Sequence, residues 1–140
     1  MPEPLAVRIL AAAVAGIGGQ QRPGQGVMTG EVTRTFDTGE HLLVQAGTGT
    51  GKSLGYLAPA LASLVENPDQ RIVIATATLA LQAQLATKDI PAAVEACERV
   101  CGETVSHAIL KGRSNYACLL RVREGQGAEQ DALLPEPGEA

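Results

Sequence analysis

Between Ala46 and Ser53 the sequence reads AGTGTGKS, in which three glycines alternate with threonines before a lysine and a serine. Gly47, Gly49 and Gly51 allow a tight backbone turn that aims successive N–H groups inward, where a following helix N-terminus adds its own pull on phosphate oxygens. Lys52 has the charge and reach to bridge β- and γ-phosphates, and Ser53 has the hydroxyl to ligate magnesium, which makes these two the candidate catalytic residues. Thr48 and Thr50 complete the candidate ATP-binding loop. Ala46 stands where the stricter motif has glycine, and a methyl group at a strand end need not block the phosphates. The competing account is a glycine-rich turn with an incidental lysine, and it is weakened by the strand expected before the loop and the helix expected after it. Kinases, GTPases, transporters and helicases all use such a loop, so it names no activity by itself.

The elements that position the loop follow from periodicity. His41–Ala46 reads as a short buried strand, and Leu54, Leu57, Ala58, Leu61 and Leu64 set a helix that Asn67-Pro68 closes. Pro59 inside that helix bends it or removes a hydrogen bond. Further helices are expected over Leu5–Ile17, Gln25–Phe36, Leu79–Ala86 and Ile90–Cys101, the last with Asp89 and Gly102 as caps, and a short one over Ala117–Arg123. Arg71–Ala77 and Val105–Leu110 read as two more strands. Alternation of strand and helix predicts an α/β fold, a parallel sheet with helical crossovers. Residues 125–140 are low in large apolar groups and rich in glycine, proline and acid, the composition of a disordered tail.

A chain of 140 residues has room for one domain with a modest core. With two methionines, two tyrosines and one phenylalanine, its interior must be filled by alanine, leucine and valine. A net charge of -4 argues against a DNA-coating protein, although Lys111, Arg113, Arg121 and Arg123 make either a local basic strip or a solvated surface run. Three cysteines without a secretory leader point to a reducing, cytoplasmic setting. Cys97 and Cys101, four apart on a helix, read as small half-buried residues rather than a metal pair, and His41 and His107 as core or edge histidines. The apolar stretch near the N-terminus is interrupted by Arg8 and is too short to span a membrane, so no membrane association is expected.

RPGQ at Arg22–Gln25, ATATLALQAQL at Ala75–Leu85 and LKGRSNYAC at Leu110–Cys118 flank the glycine loop. In that order and spacing they resemble the N-terminal part of DinG-like helicases, bacterial relatives of the XPD iron-sulfur helicases in superfamily 2. The resemblance runs from about Arg22 to Arg123. It implies a partial P-loop NTPase of RecA-like form, with residues 1–124 as the N-terminal part of the first motor domain, and ATP-dependent 5′→3′ DNA unwinding in DNA repair. By the same resemblance Gln25 reads adenine, Thr76 and Thr78 lie along single-stranded DNA, and Cys118 is the first ligand of a 4Fe-4S cluster. The family's Asp-Glu-Ala-His box does not occur in the sequence, so the expectation is an N-terminal fragment that is inactive alone. The alternative is a small P-loop nucleotide-binding or phosphotransfer protein unrelated to DNA, which explains the loop but not the flanking phrases.

Overall fold

Helices form where apolar residues recur every three or four positions. In this computed structural model, which describes residues 2–47 and 49–124, they are α1 (Leu5–Gly16), α2 (Pro23–Thr38), α3 (Lys52–Glu66), α4 (Leu79–Gln84), α5 (Ile90–Cys101) and α6 (Leu119–Glu124). A π-helical turn, Leu85–Asp89, joins α4 to α5, and a 3-10 turn covers Arg113–Asn115. The chain divides into one unit that ends at His107 and a second that begins at Ala108. The expected tail, 125–140, lies outside the described residues. Among the described residues no helix is long and apolar enough to cross a membrane.

Helix α3 is the centre of the first unit. It is buried on every side from Leu54 to Ser63, with Tyr56 alone half-buried, as befits a helix that is apolar all round. Ile9, Leu10, Ala13 and Val14 of α1 and Ala93, Ala96 and Cys97 of α5 close over Leu54, Leu57, Ala58 and Leu61, and α2 packs along α3 and α1. Ala6, Ala13, Ala58, Ala62, Ala93 and Ala96 share this core with the larger aliphatic side chains. Gly39 and Gly102, at φ 70° and 78°, end α2 and α5 in the left-handed conformation that glycine adopts most readily.

Two prolines shape the helices. Pro59 has no N–H for the carbonyl of Gly55 one turn back, and the buried Thr29 hydroxyl of α2 donates to that oxygen at 3.0 Å instead. The lost hydrogen bond expected at Pro59 is therefore replaced by one from a neighbouring helix. Pro91 likewise cannot donate to Thr87, and the turn before it widens so that the Ile90 N–H reaches Leu85 O, five residues back. Asp89 consequently sits inside a continuous helical path, with no capping bond from its side chain. The separate helices expected at Leu79–Ala86 and Ile90–Cys101 are one run.

The expected parallel sheet is not present among the described residues. Among the described residues there is no strand, and the runs expected at His41–Ala46, Arg71–Ala77 and Val105–Leu110 carry no β-ladder. Leu43 is 98% exposed, Val73 88% and Leu110 86%, the reverse of a buried strand. An apolar run becomes a strand only when other backbones pair with it, and here the apolar faces of α1, α3 and α5 bury one another instead. His41 and His107 are exposed on these runs.

Candidate nucleotide-binding site

The glycine loop opens directly into α3. Gly51 is its N-cap at φ 74°, Gly49 lies at φ 73°, and the first-turn amides of α3 have no side-chain cap. Those amides also lack intrahelical acceptors and sit at the positive end of the helix dipole, so they are donors for an anion. The Lys52 ammonium lies over the loop, donating to Ala46 O at 3.1 Å and Gly47 O at 2.5 Å. Thr50 Oγ1 donates to Gly47 O at 2.9 Å and closes the turn. Thr48 lies outside the described residues.

Helix α2 brings Gln25 to this loop. Pro23 starts α2, where its missing N–H costs nothing, and this places Gln25 in the first turn facing α3. Its carboxamide is buried, donates to Gly51 O at 3.0 Å and accepts from the Arg22 N–H at 3.1 Å. A Cβ on Gly51 would collide with that carboxamide, so the position needs glycine for space as well as for φ. One turn further along both helices, Thr29 meets Gly55 in the same way, and Met28 packs so closely that a Cβ on Gly55 would lie 3.2 Å from its sulfur. The Arg22 guanidinium reaches to 4.0 Å from where a Cβ on Gly49 would stand, which adds a second cation beside the loop.

One turn along α3 from Ser53, the Tyr56 phenol is held above its ordinary pKa chiefly by burial, with the Ser53 hydroxyl lowering it and the charge of Asp89 adding a smaller rise. The first-turn amides, the lysine and the serine hydroxyl are the kinds of group that a magnesium-bound nucleoside triphosphate requires. Sequence reasoning missed Thr29, Tyr56 and Arg22. Pro59 was the signal for Thr29, because a proline inside a buried helix leaves a carbonyl that some neighbour must satisfy. A cleft of about 460 Å³ between Leu5, Phe36, Pro59 and Glu66 contains no residue of the loop.

The other expected positions make local contacts of their own. Thr78 caps α4, its Oγ1 accepting from the Leu81 N–H at 3.2 Å, and Thr76 Oγ1 donates to Thr78 O at 3.1 Å. The Thr76 proton is thus engaged, whereas that of Thr78 is left for an external acceptor. Cys118 is exposed and lies in the second unit, where the Tyr116 hydroxyl accepts from the Lys111 N–H at 2.9 Å. Among the described residues no group of three or more His, Cys, Asp or Glu could hold a metal ion.

Comparison with known proteins decides the family. The family model for DEAD/DEAH box helicases matches residues 28–118. The chain belongs to that family. It is 48% identical over 114 residues to the ATP-dependent helicase DinG of Mycobacterium tuberculosis H37Rv, covering 81% of this chain and 17% of the relative. It is 41% identical over 115 residues to the ATP-dependent DNA helicase YoaA of Escherichia coli K12, covering 82% of this chain and 16% of the relative. To the 3'-5' exonuclease DinG of Bacillus subtilis 168 it is 37% identical over 114 residues, covering 81% and 12%. The chain spans about a sixth or less of the length of these curated relatives, and the DinG-like resemblance is borne out over that span. No solved structure matches it.

Proposed function

We propose that this chain is the nucleotide-binding part of a DinG-like, ATP-dependent DNA helicase motor. The observation that carries the reading is the joining of Gln25 to Gly51: the flanking phrase and the glycine loop, separate in sequence, meet through one hydrogen bond. Lys52 leaves the carbonyls of Ala46 and Gly47 for the β- and γ-phosphates, while Gly47, Gly49, Thr50 and Gly51 offer them backbone donors. A bound magnesium would neutralise phosphate charge, and the Ser53 hydroxyl would help hold it. Gln25 keeps one N–H and one lone pair uncommitted, enough to read an adenine edge without releasing Gly51.

Single-stranded DNA is the proposed partner of the Thr76–Thr78 segment, with the Thr78 hydroxyl as donor to a phosphate oxygen and 5′→3′ as the direction of travel. A 4Fe-4S cluster needs four ligands, and the described residues supply one thiol at the expected place, Cys118. The cluster does not fit these residues, and no step depends on it.

Without an acidic box in the sequence, the chain is expected to bind ATP with magnesium and not turn it over. Titration calorimetry tests this: Lys52→Ala should weaken ATP binding at least about tenfold, the effect of roughly 1.4 kcal/mol. Equal affinity of the variant, or no binding by the parent chain, would refute the site.

A further inference from the structure

Cys97 and Cys101 lie one turn apart on α5 with their Sγ atoms 3.7 Å from each other. Cys97 is fully buried in the core shared by α1, α3 and α5. Cys101, the last residue of α5, is partly exposed, and its thiol donates to Cys97 O at 3.0 Å. The contact is between sulfurs alone, with no third ligand to build a metal centre among the described residues. Two thiols in contact, one reachable from solvent, have the arrangement of an attacking and a resolving pair.

We propose that Cys97 and Cys101 are a redox modification site, closing into a reversible disulfide within α5 when the protein meets a peroxide. The Cys101 thiolate attacks one peroxide oxygen and the O–O bond breaks, leaving a sulfenic acid on Cys101 and hydroxide, which takes the proton Cys101 released. The Cys97 sulfur then attacks the sulfenic sulfur; the S–S bond forms, the S–O bond breaks, and the departing hydroxide leaves as water with the Cys97 proton. Two thiols are oxidised and one peroxide is reduced to two waters. Burial, aided by the adjoining Cys101 thiol, pushes the Cys97 thiol up to about 12, which leaves the first attack to Cys101.

Closure has a structural consequence. Residues four apart on a helix hold their Cβ atoms about 5–6 Å apart, whereas a disulfide needs about 3.5–4.5 Å. The last turn of α5 must therefore tighten, and it is free to do so because Gly102 already ends the helix there. Two hydrogen bonds belong to that turn: Gly102 N–H to Glu98 O at 2.7 Å, and Arg8 Nη2 of α1 to Val100 O at 3.2 Å. Oxidation thus loosens the hold of α5 on α1.

The test uses the full chain carrying Cys118→Ser, which removes the exposed third thiol, treated with hydrogen peroxide at one equivalent. The intact mass should fall by two hydrogens and iodoacetamide should label neither cysteine after unfolding. Trypsin, which cuts after Arg99, should release the two cysteines as peptides joined by the bridge. Dithiothreitol should restore both labels. Adding Cys101→Ser, at the partly exposed position, should abolish the bridge and leave Cys97 protected by burial. Sulfinic acid at Cys101 with Cys97 still free would overturn the proposal, as would unchanged thiols or a dimer linked through Cys101.

Discussion

Thr29→Val keeps the shape of a fully buried side chain and removes its only polar atom. The Gly55 carbonyl then faces Pro59 on its own helix and a methyl group on the neighbouring one, so it stays buried without a donor. Such an orphaned group costs about 1–3 kcal/mol, roughly 4–8 °C in Tm per kcal/mol for a unit of this size. The distinctive element is its dependence on Pro59. Pro59→Ala removes two buried methylenes, about 0.8 kcal/mol each, and returns an N–H to the carbonyl one turn back. Thr29→Val should therefore cost close to nothing in a Pro59→Ala background, giving a coupling of about 1–3 kcal/mol in the double-mutant cycle. Urea denaturation of the four proteins followed by circular dichroism measures it. If Thr29→Val costs as much beside Ala as beside Pro, the hydroxyl is not replacing the missing amide and the reasoning fails.

Other perturbations separate space from backbone conformation and pH from packing. Gly51→Ala should lower stability and ATP affinity more than Gly49→Ala, because both positions have positive φ but only Gly51 abuts the Gln25 carboxamide; equal effects in calorimetry and thermal melts would remove the steric argument. The folded chain keeps the Cys97 proton that the unfolded chain loses above about 9, so stability should fall as pH rises from about 9 toward about 12. The slope from this group is at most about 1.4 kcal/mol per pH unit, and urea midpoints should show it shrinking in Cys97→Ala; an unchanged slope would assign it elsewhere. Gln25→Ala should weaken adenosine nucleotides while also destabilising the loop, because two hydrogen bonds go with the side chain; ATP affinity unchanged alongside an unchanged melt would refute both roles.

What the sequence made legible was local. The spacing of Leu5 to Val14 and of Leu54 to Leu61 marks helices because residues three and four apart share a face, and Gly39 and Gly102 mark ends because a left-handed turn favours glycine. The glycine loop is legible for the same reason. The three expected strands were misread: a run such as Arg71–Ala77 is apolar whether or not a neighbour pairs with it, and pairing is decided by distant backbone. Asp89 misled because an acid before a helical pattern looks like a cap, whereas the widened turn before Pro91 carries the helix through it. The partners of Gln25 and Thr29 were invisible because both bonds cross between helices.

Those two bonds also fix where the chain tolerates a change in length. Gln25 and Thr29 are four apart on α2, as are their acceptors Gly51 and Gly55 on α3. One residue inserted between either pair turns the helix face by about 100° and takes a donor away from its carbonyl. An extra residue among Glu40–Val44, in the exposed connection, moves neither pair. Insertions are barred from two intervals of a single helical turn and admitted to the exposed connection that lies between them, ahead of the glycine loop.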